Sequence, residues 1–413
     1  MSNERTEKRM NRRSFLGLGV AGASLWSLRG LGAEGFIPFG ERGEDEKILV
    51  VLQMSGGNDG LNTVIPFENP LYRKARPQLG VPEKDIHKIG KGLGLHPSLR
   101  GCAELLHAKK FAIVQGVGYP HPNRSHFKSM DIWHAADLRG SRAGTGWLGR
   151  ALDQELLSHP RGKAELGINL SERIPLALVG KNYKPIAFQN PLGYQYQGSS
   201  EEKKVFEHLA KKEAAVEVNP VLARLHQVAE EAVLTSASVR KAAQEYKTPV
   251  RYPRNQLGRS LNHVAAMIAG KLPTKVYYTF HGSFDTHVNQ SGRHANLLKQ
   301  MDAALMAFQK DLRRLGMADR VLLMGFSEFG RRVAQNKSQG TDHGTAGSLF
   351  LMGDSLRGGI YGETPSLSDL DHGDLKFHMD FRRVYAELLD SWMGVPSVKV
   401  LGASFPKLGL LGS

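Results

Sequence analysis

Five short polar clusters hold residue types that ligate metals or bind anions: Asn58-Asp59, Arg124-Ser125-His126, Asp285 with His287, Glu328 with Arg331 and Arg332, and Asp342-His343. A divalent cation is held by three or four carboxylate and imidazole groups. Asp59, Asp285, His287, Glu328, Asp342 and His343 therefore form the candidate ligand set. In extended backbone alternate side chains share a face, so Asp285 and His287 can reach one ion. Ser125 at a helix start would have backbone N–H groups and Arg124 beside it, a setting for a tetrahedral anion. A metal-activated hydroxyl there can attack phosphorus or sulfur. Ser125, Arg124, His126 and Arg331 are the candidate catalytic group. Plainer readings compete: Ser125 as a helix cap, Asp59 as an Asx turn, Glu328 as a partner of Arg331, His126 as a loop histidine. The glycines at 56–60 lack the Gly-Lys-Ser/Thr of a phosphate-binding loop. No Gly-x-Ser-x-Gly nucleophile turn occurs.

Residues so far apart need a sheet to bring them together. Lys47–Met54, Phe111–Gln115, Lys275–Phe280, Val321–Phe326 and Ser348–Met352 are near-continuous apolar runs, as expected of strands buried on both faces. Leu166–Leu170 and Pro175–Val179 read as two more. Polar clusters follow the ends of several of these runs, and open α/β sheets place ligand sites just past strand ends. Helical spacing recurs after Pro97, from Ser125 to Ala136, after Trp147, over 201–247, and over Leu257–Leu272, Leu297–Leu315 and Phe381–Met393. Strands separated by helices predict an α/β fold with a doubly wound, mostly parallel sheet. The charged, alanine-containing 201–247 stretch predicts a helical insertion or cap. With no Ser/Pro-rich linker, residues 34–413 predict one domain.

Asn11-Arg12-Arg13-Ser14-Phe15-Leu16 is a twin-arginine signature, followed by an apolar Gly/Ala-rich segment and a small-residue site near Gly32-Ala33. These predict an export leader over 1–33, handled by the twin-arginine translocase, and a periplasmic or extracellular destination. The apolar run is too short and glycine-rich for a comfortable membrane span. No stable span is expected once the leader is removed; an uncleaved leader would instead hold the chain at a membrane surface. Removal takes away six Lys/Arg and two Glu, so the net charge falls from +15 to +11. That basic balance suits an anionic small molecule or polysaccharide. The lack of an arginine-rich arm or an aromatic-interleaved RNA motif argues against nucleic acid. The single cysteine, Cys102, excludes intramolecular disulfides and reads as a small buried apolar residue.

The ordered motifs GGNDGLNTVIP, GLHPSL, HPNRSHF, TGWLGR, SFDTH, SEFGRR and GTDHG, with the leader, resemble the exported bacterial family called domain of unknown function 1501, over most of residues 10–395. That family is similar to the alkaline phosphatase/sulfatase superfamily of metal-dependent phospho- and sulfohydrolases. The resemblance implies an alkaline-phosphatase-like domain and a divalent ion (zinc, calcium, magnesium or manganese). It implies Asp59 as first ligand, Ser125 as nucleophile or its vestige, and Asp285 with His287 on one metal. Glu328 would fill the second acidic site and His343 would be the late ligand. The chain departs from that superfamily in having Ser327-Glu328-Phe329 where Asp-His is usual, and in the short spacing from Asp285 to His287. It also lacks the Cys-x-Pro/Ser-x-Arg that sulfatases convert to formylglycine. The expectation is an exported metal-dependent hydrolase of phosphate or sulfate esters. Its rival is a non-catalytic exported binding or assembly protein that keeps the fold.

Overall fold

A computed structural model describes residues 46–140, 142–158, 164–211 and 220–412; the leader expected over 1–33 lies outside them. Nine strands build the main sheet: β1 (Ile48–Met54), β2 (Phe111–Gly118), β3 (Gly167–Asn169), β4 (Ile186–Ala187), β5 (Val276–His281), β6 (Val321–Phe326), β7 (Gly347–Met352), β8 (Gly359–Tyr361) and β9 (Met379–Asp380). Their order is β8-β2-β7-β6-β1-β5-β3-β4, with β9 also pairing with β2. All pairings are parallel except those of β7, which runs antiparallel between β2 and β6. The mostly parallel α/β sheet is thus as the apolar runs foretold. What they could not show is the reversal of β7. No helix crosses over between β6 and β7, so the chain returns directly, and only an antiparallel strand can follow such a return.

The principal helices are α1 (Arg100–His107), α2 (His126–Ala135), α3 (Trp147–Ser158), α4 (Ser200–Lys211), α5 (Pro220–Glu245), α6 (Gln256–Ala269), α7 (Gln290–Arg314) and α8 (Phe381–Glu387). They cover both faces of the sheet. Alternate β1 residues Ile48, Val50 and Leu52 join a core with α1, α6 and α7, through Cys102, Leu261 and Leu305. Leu49 and Val51 join the opposite core with α2, α3 and α8, through Trp133, Leu148 and Tyr385. A strand packed on both faces has no reason to alternate polar and apolar residues. β1 is accordingly buried along its whole length. The helical reading of 201–247 is met by α4 and α5 over the residues described.

Two expectations fail locally. Pro175–Val179 is not a strand but a short helical turn, Leu176–Leu178, and the sheet instead gains Ile186–Ala187. The run is apolar because Ala177 and Leu178 pack into the α2/α3 core, not because it pairs in the sheet. Helix α7 starts at Gln290 rather than Leu297. The buried residues of its first turns are polar, Gln290 and His294 facing the β1 loop, so the apolar stripe used to find it begins late. Among the described residues no helix is long and apolar enough to cross a membrane.

Candidate metal centre

The loops after β1, β2, β5 and β6 gather at one rim of the sheet. Because β7 is reversed, its amino end lies at that rim too. Residues 330–332 and 342–345 zip together, with Gly330 N–H donating to Thr345 O, Gly344 N–H to Gly330 O and Arg332 N–H to Asp342 O. The glycine-rich return thereby carries His343 to the site. Arg331 fastens the other loops. It is 1 % exposed, and its guanidinium donates to the carbonyls of Gly56, Gly57 (2.6 Å), Phe284 (3.1 Å) and Thr341 (2.8 Å) and to Asp285 Oδ1 (2.7 Å). Gly56 has φ +116°, and a Cβ there would sit 2.4 Å from Asp285 N, so this approach of two loops requires glycine. Arg331 is therefore an interior staple rather than the anion-facing group the sequence suggested. Arginine's fork of donors suits it to bind several carbonyls at once.

Four side chains converge at the rim: His126, Asp285, His287 and His343. Asp285 Oδ1 lies 2.9 Å from His287 Nε2 and 3.2 Å from His343 Nε2, and the two imidazole Nε2 atoms are 3.0 Å apart. His126 Nε2 is 3.5 Å from Asp285 Oδ2 and, though shielded from solvent, has no hydrogen-bond partner. Donor atoms of His126, Asp285 and His343 all lie within 4.8 Å of one another. Around one tetrahedral ion with bonds of about 2.0–2.1 Å, donors stand roughly 3.3 Å apart. The distances fit.

The other ring nitrogens say which way the protons point. His343 Nδ1 is 2.8 Å from the Arg124 carbonyl; a carbonyl only accepts, so Nδ1 carries the proton and Nε2 offers its lone pair. His126 Nδ1 donates to Glu328 Oε1 at 2.8 Å, and His287 Nδ1 to Asp342 Oδ1 at 3.3 Å. The lone pairs of His126 and His343 and the Asp285 carboxylate thus form one cluster, with the His287 lone pair at its edge. Without a cation these groups repel; with one they are a ligand set with its outer hydrogen bonds in place. Burial works against the charge of Asp285, but the Arg331 guanidinium and the imidazoles hold its carboxyl down at about 2. Burial likewise opposes the charge of Glu328, and hydrogen bonds from His126, its own backbone, Gly56 and Ser327 outweigh it and keep the carboxyl below its usual range. The Glu328 hydrogen bond raises His126, whereas burial lowers His343.

Of the six ligands expected from sequence, Asp285, His287 and His343 meet. Glu328 and Asp342 stand one bond behind, orienting His126 and His287. Asp59 does not join them. Its side chain is fully buried, caps the turn Gly60–Thr63, and pairs with the equally buried Arg76 at 2.6 Å and with Gln290 Nε2. The partner that claims Asp59 lies 17 residues on, at the end of another short helix, and no local spacing announces it. His126, expected in the catalytic group, instead stands among the donors with Asp285 and His343. The signal for a ligand role is its position, at the opening of α2 just past β2. Ser125 is the exposed N-cap of α2, and its hydroxyl makes no capping bond. Arg124 is half exposed and paired with the buried Asp374, which also holds Arg332 at 3.3 Å.

A mostly parallel α/β sheet with a His/Asp cluster at its rim is what fold and site define. The chain belongs to the family described as a protein of unknown function, DUF1501, whose model matches residues 112–397. No curated protein matches it. Among solved structures it is similar to Ps i-CgsB in complex with k-i-k-neocarrahexaose, at 12% identity and TM-score 0.35, covering 87% of this chain and 73% of that one. It is similar to the zinc complex of the C-terminal periplasmic domain of EcEptC from Escherichia coli, at 10% identity and TM-score 0.34, covering 78% of each chain. It is also similar to a protein in the alkaline phosphatase superfamily from Vibrio parahaemolyticus, at 11% identity and TM-score 0.35, covering 84% of this chain and 70% of that one. Scores this low carry no functional weight.

Proposed function

We propose that this chain is an exported, metal-dependent hydrolase of phosphate or sulfate esters. The observation that carries the reading is the three-donor group of His126, Asp285 and His343, with His287 against two of its members. His126, Asp285 and His343 would hold the ion, with His287 beside them, and a set this rich in imidazole suits zinc better than calcium or magnesium. When bound, a divalent cation supplies Lewis-acid charge and lowers the pKa of a neighbouring hydroxyl or water. Glu328, Asp342 and the Arg124 carbonyl keep the three rings turned toward it. Ser125, one residue from His126 with an uncapped hydroxyl, is the candidate nucleophile. The unpaired N–H groups of the first turn of α2 favour a tetrahedral anion there. Arg124 and Arg332, not Arg331, are the guanidinium groups that reach the surface to steady it. The leader supports a periplasmic or extracellular location and passage through the twin-arginine translocase. The basic charge supports an anionic small molecule or polysaccharide as substrate.

Metal analysis of the purified protein should find about one divalent ion per chain, a count that follows from one donor cluster. Ser125→Ala should keep the ion and lose turnover of aryl phosphates and sulfates. Full activity in metal-free protein would end this reading. One observation favours a non-catalytic binding role instead: among the described residues Asp59 and Glu328 are already engaged, so a second ion site is not assembled. Protein that binds an ion but turns over no ester would support that role.

A further inference from the structure

Beside the metal centre one buried carboxylate serves two arginines at once. Asp374 lies in a hairpin whose strands pair Leu370 with Leu375 and Asp371 with Asp374. The hairpin turns on His372 (φ +49°) and Gly373 (φ +88°). Two successive left-handed residues make the I′ turn, whose twist matches that of the flanking strands and fixes their register. The Asp374 side chain is 1 % exposed and pairs with the Arg124 guanidinium and, at 3.3 Å, with Arg332 Nε. The tip of the hairpin is tied to the same loop: Arg332 also donates to His372 O, and Val333 N–H donates to Gly373 O at 3.4 Å. Burial pushes the Asp374 carboxyl up from its ordinary 3.8, and the two guanidinium groups pull it back.

Both arginine side chains are partly exposed. Among the described residues the Arg124 guanidinium pairs with Asp374 alone, and that of Arg332 with Asp374 and His372 O alone. A guanidinium carries five N–H donors, so both keep donors to spare. Their main chains are joined to the metal cluster: Arg124 O accepts from His343 Nδ1, and Arg332 N–H donates to Asp342 O. Two cations against one carboxylate leave a positive charge in excess at that edge.

We propose that Asp374 is a positioning residue: gripping Arg124 and Arg332 from the buried side, it sets their free N–H donors as a two-armed clamp for the tetrahedral anion of the substrate. The inference rests on the hydrolase reading for the molecule that carries the anion, but the clamp can be tested with a bare anion. Loose arginines lose side-chain freedom whenever an anion binds; arginines already held lose less. Asp374 is itself negative, so directly it repels the anion, and through the arginines it favours binding. The two effects have opposite signs.

Inorganic phosphate, titrated calorimetrically into the full-length protein as purified, should bind. Asp374→Asn removes the repelling charge at nearly constant volume, yet should bind phosphate about tenfold more weakly, with metal content unchanged. In the Arg124→Ala, Arg332→Ala double variant, adding Asp374→Asn should cause no further weakening, because residues that act through one another are not additive. If Asp374→Asn does not fold, Arg124→Lys replaces it; that variant keeps the charge, loses the planar fork that Asp374 grips, and should also weaken phosphate binding. Phosphate affinity unchanged or tightened in Asp374→Asn, unchanged in Arg124→Lys, or weakened equally by Asp374→Asn with and without the two arginines overturns the clamp. So does wild type that binds no phosphate. The expected pattern in protein that hydrolyses no ester supports the clamp and defeats only the hydrolase reading.

Discussion

Two polar clusters sit at the same edge of the sheet and were equally conspicuous in the sequence, yet they are built on opposite plans. Around Asp59 every group has its complement: Arg76 meets the carboxylate, Gln290 donates to it, and His294 Nε2 donates to Asn58 Oδ1 2.9 Å away. Around Asp285 three imidazoles turn unprotonated nitrogens toward each other and toward a carboxylate, and one of those nitrogens has no partner. The first cluster is finished by the protein alone. The second is finished only by something with positive charge. The difference separates a structural polar core from a binding site better than residue type does, since both contain Asp, His and Arg.

Experiments that exchange the behaviour of the two clusters would break the comparison. The largest effect is expected for Asp285→Ala, which should lose the ion and reduce any turnover to background, measured by metal content and ester hydrolysis; melting temperature should change far less. Arg76→Met should do the reverse. It strands a buried carboxylate at Asp59 and should destabilise the fold by about 3–5 kcal/mol in denaturant titration, with no metal-specific signature. Glu328→Gln removes the charge behind His126 and should weaken metal affinity about 10- to 100-fold, read by competition with a chelator. The smallest effect concerns acid. Burial opposes ionisation of Asp59, but Arg76 and its other partners outweigh it and hold the carboxyl below the ordinary 3.8. A depressed carboxyl contributes stability that is present above 3.8 and is lost as pH falls toward its folded value. Below pH 3.8 the wild type should therefore lose stability more steeply than Asp59→Asn, by acid titration of unfolding. Equal slopes would mean that the Asp59 pair is not what the structure makes it.

The sheet was legible because strands buried on both faces must be continuously apolar, and Ile48–Met54 and Val321–Phe326 are. Asp285 and His287 were legible because alternation is a local property. His343 was legible from its place after a glycine-rich return. Three things were not. The fate of Asp59 depended on an arginine from another segment. The role of Arg331 depended on how deeply it is buried, since an exposed guanidinium and an interior one look alike in sequence. The choice of His126 over Glu328 as donor depended on which of two touching side chains lies nearer the centre, a matter of an ångström or two. Strand direction was also hidden at β7, because an apolar run has no polarity.

Arg331 has one more consequence. Its guanidinium already sits 2.7 Å from Asp285 Oδ1 and grips carbonyls from four loop positions. The rim is thus assembled by a cation the chain carries itself, and folding has no need to wait for an ion from outside. An empty protein should hold the same outline as a loaded one, so filling becomes a late event, separable from folding.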